Sequence, residues 1–298
     1  MKNALLIDLG GTNVRYASFI KNTLSEITKE KIADEEFIPF LTKLLEEEKN
    51  EIDYLVIAAA GPNDQRSINL TNRNLLIDSS ELKAKLNLKE CLLLNDWEAV
   101  AQSLSELNQE CFLPLKSGAP TSDNTLLIGP GTGLGVTLII KDQIIPTEFG
   151  NTFSPTRSML EIFDLGDNKI FFSLENILSG PGIEKLYEEK FGRKLSSEKI
   201  ISSALKGDKD DFFIIENFLK ALISIINDLV LSFSCEKVIL GGSILNTLKP
   251  ILMTEKILNY FLSEINPKYS PLIERTQVDL LTEDEPGILG CLAFFKTK

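Results

Sequence analysis

Residues 4–19 (ALLIDLGGTNVRYASF) and 125–140 (TLLIGPGTGLGVTLII) follow one plan. Each is an apolar run, a glycine-rich turn carrying a threonine, and a second extended run, which reads as strand, tight turn, strand. Its repetition predicts two similar α/β halves, with a boundary near residue 110. Around both copies the apolar spacing alternates between strand and helix. Phe37, Phe40, Leu41, Leu44 and Leu45 recur at helical spacing, with Asp34 as the expected N-cap. Residues 54–60 and 91–94 read as strands. Asn95-Asp96 then opens a helix whose expected apolar face is Trp97, Val100, Ala101 and Leu104, and residues 114–124 read as a looser connection. Further on, residues 143–146, 237–240 and 278–281 are extended. Ser179 caps a helix running to Phe191, residues 215–233 carry a long buried helix, and residues 289–295 close the chain as a helix. The fold class is α/β.

Composition narrows the chemistry. The chain has no histidine among 298 residues. That excludes Ser-His-Asp triads, H-E-x-x-H zinc helices and imidazole bases, so acid–base work near neutral pH falls to Asp, Glu, Lys, Tyr or Cys. The charge of 31 − 43 = −12 argues against nucleic acid or an anionic membrane as partner. Four separated cysteines without a C-x-x-C pair read as buried thiols in a reducing compartment. The apolar start is too short for a signal segment, and the stretch 212–233 is interrupted by Glu216, Lys220, Asn227 and Asp228. A soluble, cytoplasmic protein is expected.

The glycine turns are the sharpest local features. Gly10, Gly11 and Thr12, and again Gly131, Thr132 and Gly133, offer open backbone and a hydroxyl, as a phosphate requires. Neither turn is followed by the Gly-Lys-Ser/Thr of a P-loop, and each leads into a strand where a dinucleotide fold would open a helix. Either alone also reads as a plain hairpin turn. Gly241-Gly242 follows a strand and suits either a nucleotide contact or a packing turn. Asp96 stands where a strand gives way to a helix. There it can accept a proton from a substrate hydroxyl, while Asn95 and Asp96 are equally good N-caps. Glu148 with Asn151, and Glu175, are acceptors suited to a polyhydroxylated ligand, although Glu175 read singly is a solvated helix face. Phosphoryl transfer would give these parts a common purpose.

In order along the chain, LLIDLGGTNVRYASF, AAAGPNDQRSINLTNRNL, LLLNDWEAVA, LLIGPGTGLGV, TEFGN, SLENILSGPG, VILGGSIL and EPGILG resemble the bacterial ATP-dependent glucokinase family, within the sugar kinase, Hsp70 and actin fold group. The resemblance implies two ribonuclease-H-like domains flanking a cleft. The small domain would be residues 1–109 joined by the last helix, 284–298, and the large one residues 110–283. It implies Asp96 as the general base for the sugar 6-hydroxyl, and Asn95, Glu148 and Glu175 as sugar ligands. Asp8 would face Mg2+ through water. Gly10 to Thr12 and Gly131 to Gly133 would hold the ATP phosphates, with Gly241 and Gly242 near the adenosine. Homodimers are common in the family. Where its members carry a histidine that touches the sugar, this chain has Asn151, and Phe149 replaces a small residue. Asn151 still donates and accepts hydrogen bonds, which keeps it a sugar-ligand candidate. Glucose is the expected acceptor, with another hexose or an amino sugar as the alternative that Asn151 raises. A non-catalytic sugar-binding regulator is disfavoured by the retained Asp96 and by a first strand that begins at about Ala4.

Overall fold

The computed structural model describes residues 2–11, 13–64, 66–71, 73–153, 156–263 and 265–298. Thr12, one of the expected phosphate ligands, lies outside the described residues. The chain divides into two compact units, Met1–Asn108 with Asp284–Lys298, and Gln109–Glu283.

The first unit contains β1 (Ala4–Leu9), β2 (Val14–Ile20), β3 (Thr23–Leu24), β4 (Thr28–Glu30), α1 (Phe37–Glu47) and β5 (Tyr54–Ala59). After these come a ribbon of β6 (Ser67–Asn69) and β7 (Leu76–Asp78), then α2 (Ser79–Lys85), β8 (Glu90–Asn95) and α3 (Asp96–Ser103). Its sheet runs β3-β2-β1-β5-β8, with β4 also on β2. The β1–β2 hairpin is antiparallel, and β5 and β8 add in parallel. Side chains of a strand alternate between faces. Leu5, Ile7 and Leu9 therefore join Phe37, Leu41 and Leu44 of α1 in one layer, while Ala4 and Leu6 join Ile288, Cys291, Leu292 and Phe295 in the other. Both faces are covered, which is why the central strands read as unbroken apolar runs.

The second unit contains β9 (Phe112–Lys116), β10 (Thr125–Pro130), β11 (Leu134–Ile140), β12 (Gln143–Thr147), α4 (Thr156–Ile162), α5 (Gly180–Phe191), α6 (Ser197–Leu205), α7 (Lys209–Phe233), β13 (Lys237–Leu240), α8 (Ser243–Leu252), α9 (Glu255–Asn259), α10 (Ser270–Arg275) and β14 (Gln277–Leu281). Its sheet runs β12-β11-β10-β13-β14-β9. Two antiparallel pairings are followed by two parallel ones, so the first five strands repeat the path of the first unit. One continuous core joins the sheet to α7, whose Ile215, Phe218, Leu222, Ile226 and Leu229 are all buried. The last helix, α11 (Pro286–Lys296), belongs to the first unit and packs on α3 and β1.

Four local expectations need correction. Residues 112–116 are not a loose connection: they form β9, antiparallel to β14 at the sheet edge, where Pro114 is tolerated because an edge strand has no partner on one side. Asp34 does not cap α1. It sits in a 3-10 turn, and its carboxylate accepts from Arg73 Nε at 2.5 Å and from the Asn74 N–H at 2.9 Å. The buried face of α3 is Ala99, Ala101 and Ser103, with Trp97, Val100 and Leu104 only half-buried. The close approach of α11 explains this, because a Cβ on Gly290 would lie 1.8 Å from the Ala99 carbonyl oxygen. Finally, α11 begins at Pro286, three residues before the expected start, with proline in its first turn.

Candidate active site

In the first unit the strand register places Leu9 beside Ala59 and Ala59 beside Asn95. The glycine turn after β1, the corner at Gly61 and the Asn95-Asp96 step therefore leave the sheet at one edge. In an open α/β sheet, that carboxyl edge is where ligands collect. Gly61 has φ +150°, and a Cβ there would meet the Asn69 carbonyl oxygen at 2.3 Å, so the corner requires glycine.

Asn95 and Asp96 divide their work. Asn95 is the N-cap of α3: its side-chain oxygen accepts from the N–H groups of Trp97 at 3.0 Å and Glu98 at 3.3 Å. Its amide donates to the Gly61 carbonyl at 3.3 Å, and Glu98 accepts from the Asn95 N–H at 3.3 Å. Of the two readings open to this pair, capping thus falls on Asn95. Asp96, at the first helical position, is half-buried and accepts from the Trp97 N–H at 2.9 Å. Its carboxylate stands in the first turn of α3, where the helix dipole attracts negative charge.

Asp8, near the end of β1, lies across the hairpin from Arg15. The Arg15 guanidinium is 3.5 Å from its carboxylate and also pairs with Glu285. Gly287 in the first turn of α11 comes so close that a Cβ there would lie 2.6 Å from the Asp8 carboxyl carbon. Burial pushes the Asp8 carboxyl up to about 6; Arg15 opposes the rise and Glu285 adds to it. Its negative charge is therefore under-compensated, as suits a group that meets a cation. An oxygen donor fits Mg2+, which is commonly held by one or two carboxylates together with waters and substrate phosphates. Among the described residues no cluster of three or more Cys, Asp or Glu forms a closed metal cage. Arg15, Glu285 and Gly287 went unnoticed in the sequence. The Asp8–Arg15 pairing was implicit in the hairpin register, whereas nothing local connects Glu285 or Gly287 to β1.

In the second unit, Ile128 pairs with Leu240, so the Gly131 turn and Gly241-Gly242 also leave their sheet at a common edge. Gly242 has φ +96° at the start of α8, and a Cβ there would lie 2.9 Å from the Pro130 carbonyl oxygen. The Gly241 N–H donates to the Ile128 carbonyl at 3.1 Å. The Gly10 and Gly131 N–H groups close their own turns, donating to Asn13 at 3.0 Å and Gly133 at 2.8 Å. Thr132 is exposed, and the space beside Gly131 is open for at least 4 Å.

The same unit gathers Glu148, Asn151 and Glu175. Glu148 and Asn151 flank a single 3-10 turn, in which the Asn151 amide donates to the Glu148 carboxylate at 3.4 Å. Gly150, the middle residue of that turn, packs closely on β11, since a Cβ there would sit 2.4 Å from the Leu134 carbonyl oxygen. Partial desolvation raises the Glu148 pKa, Asn151 lowers it, and the charge of Glu175 raises it again. Glu175 lies in the 3-10 turn Leu174–Asn176, half-buried against Gly133 and not on a solvated helix face. The turn is fastened at both ends. The Leu174 N–H donates to the Thr152 carbonyl at 3.3 Å, and the Ser179 hydroxyl donates to the Glu175 carbonyl at 2.6 Å. Ser179 in turn caps α5 by accepting from the Gly182 N–H at 3.0 Å. Two carboxylates and an amide, set beside an open glycine turn, suit a neutral polyhydroxylated ligand next to an anion.

Comparison with known proteins agrees with this chemistry. Residues 5–298 match the family model described as Glucokinase. A glucokinase-like protein of Xylella fastidiosa is 28% identical over 99% of this chain and 95% of its own length. The crystal structure of a Balamuthia mandrillaris glucokinase in complex with glucose superposes with TM-score 0.81 at 22% identity, covering 100% of this chain and 94% of that one. A ROK family glucokinase from Streptomyces griseus, solved with glucose and AMPPNP, gives TM-score 0.71 at 16% identity over 99% and 100% of the two chains. These neighbours share the actin-like fold of sugar kinases.

Proposed function

This chain belongs to the glucokinase family and is a hexose kinase, and from that premise we propose that it phosphorylates glucose at the 6-hydroxyl with ATP, using Asp96 as general base. The observation that carries the reading is the position of Asp96 at the carboxyl edge of its sheet, in the first turn of a helix for which neighbouring Asn95 supplies the cap. The glucose and AMPPNP bound by the two glucokinases above support the choice of sugar and nucleotide.

In this reading Asp96 takes the proton of the sugar 6-hydroxyl as that oxygen bonds to the γ-phosphorus, and the bond from phosphorus to the bridging oxygen of ADP breaks. Glu148, Asn151 and Glu175 accept from and donate to the remaining hydroxyls, fixing the ring so that the 6-hydroxyl alone is presented. Asn95 orients Asp96 by capping α3 and contributes its amide to the sugar side. The Gly10–Thr12 and Gly131–Gly133 turns hold the phosphates, with Gly241 and Gly242 beside the adenosine. Asp8 would hold Mg2+ through water, and the ion would neutralise charge developing on the transferred phosphoryl group. The second reading, another hexose or an amino sugar, is favoured by Asn151, whose contact to Glu148 is long at 3.4 Å. A homodimer in the cytoplasm completes the proposal.

A coupled assay with MgATP and a panel of hexoses tests it. The expected result is turnover with glucose at the highest kcat/KM, and a fall in kcat of about 10²–10⁴-fold in Asp96→Asn. Better turnover of another sugar would select the second reading.

A further inference from the structure

Gly133 belongs to the turn proposed to hold nucleotide phosphates, yet the space its side chain would occupy is filled by a proposed sugar ligand. A Cβ on Gly133 would lie 2.6 Å from Glu175 Oε2 and 3.6 Å from Glu175 Cδ. The backbones of the two segments are also tied together. The Gly180 N–H donates to the Gly131 carbonyl at 2.8 Å, and Ser179 holds the Glu175 carbonyl at 2.6 Å. The 131–133 turn and the Glu175 turn therefore form one connected piece of backbone, with the Glu175 carboxylate seated in the space that the missing Gly133 side chain leaves. We infer that Gly133 is a positioning residue for Glu175, setting the carboxylate that receives the sugar from within the nucleotide loop. This inference rests on the sugar-kinase reading above and names a residue that acts on sugar binding through another.

The contact is with the far end of a flexible side chain, and Gly133 is not among the glycines with positive φ. A methyl group at this position therefore moves the carboxylate without forcing the backbone, unlike one at Gly150, which would meet the Leu134 carbonyl oxygen at 2.4 Å. Gly133→Ala should consequently fold like the wild type and lose sugar affinity. A misplaced carboxylate forfeits a charge-assisted hydrogen bond, worth about 10- to 100-fold in binding.

The test is calorimetric titration of glucose, without nucleotide, into wild type, Gly133→Ala, Glu175→Gln and the double variant, with thermal melting as the fold control. The expected result is at least about 10-fold weaker glucose binding in Gly133→Ala at an unchanged melting temperature, and a double variant no weaker than Glu175→Gln alone. In turnover, KM for glucose should rise more than KM for ATP. Glucose binding by Gly133→Ala equal to wild type, or losses that add fully in the double variant, would overturn the inference while leaving the kinase reading in place. Failure of the wild type to bind any hexose would overturn both.

Discussion

Asp8 offers a test in which stability and activity move in opposite directions. Its carboxyl is raised from 3.8 to about 6, chiefly by burial. Because the folded pKa exceeds the unfolded one, the folded chain binds the proton more tightly. The ionised group therefore opposes folding above pH 6, and this penalty fades as pH falls toward 3.8. The gap of about two pH units corresponds to about 3 kcal/mol. Asp8→Asn removes the charge while keeping the shape, and Arg15 retains Glu285 as its ion partner. The variant should thus be more stable than wild type by up to about 3 kcal/mol at pH 8, by roughly half that at pH 5, and by only about 0.5 kcal/mol near pH 4. Urea unfolding of both proteins at the three pH values, without ligand, measures the difference. The same variant should be a poor kinase, because Asp8 is the carboxylate proposed to meet Mg2+. A gain in stability that does not depend on pH, or a loss at pH 8, would refute the assignment of Asp8 as an under-compensated buried charge.

Two further substitutions probe how the first unit is built. Gly290→Ala should prevent α11 from seating on α3, since its Cβ would fall 1.8 Å from the Ala99 carbonyl oxygen; a cost of about 3 kcal/mol or more is expected, read as lost soluble yield or a lowered melting temperature. Asn95→Ala removes the cap of α3 and leaves the Gly61 carbonyl without its side-chain donor. It should lower stability by about 1–2 kcal/mol in denaturant unfolding, independently of any effect on turnover.

The parts of the fold legible in the sequence were those set by local rules. Each strand–glycine turn–strand segment specifies its own hairpin. The unbroken apolar runs of β1, β5, β10 and β13 announce strands covered on both faces, and from there the α/β class follows. What escaped was set by distant contacts. β9 carries a proline and is a strand only because β14 offers it an edge. Asp34 looks like a cap until Arg73 claims it. The buried face of α3 is chosen by a helix almost two hundred residues later, which selects small residues where periodicity pointed to Trp97 and Leu104. The candidate site shows the same division. Asp96 was visible as a carboxylate at a strand–helix step, but whether it or Asn95 supplied the cap depended on side-chain geometry. Glu175 alone looked like a surface residue. Its contact with Gly133 depends on two turns more than forty residues apart in the chain, which no window of sequence could reveal.

Asp96 is proposed to remove a proton from a sugar hydroxyl during phosphoryl transfer. Single-turnover transfer from ATP to glucose, compared between wild type and Asp96→Asn with both substrates saturating, tests it most directly. Asn keeps the size of the side chain and can still accept from the Trp97 N–H, so glucose binding should remain within a few-fold while the transfer rate falls by about 10²–10⁴-fold. Transfer at an undiminished rate in Asp96→Asn would contradict the account.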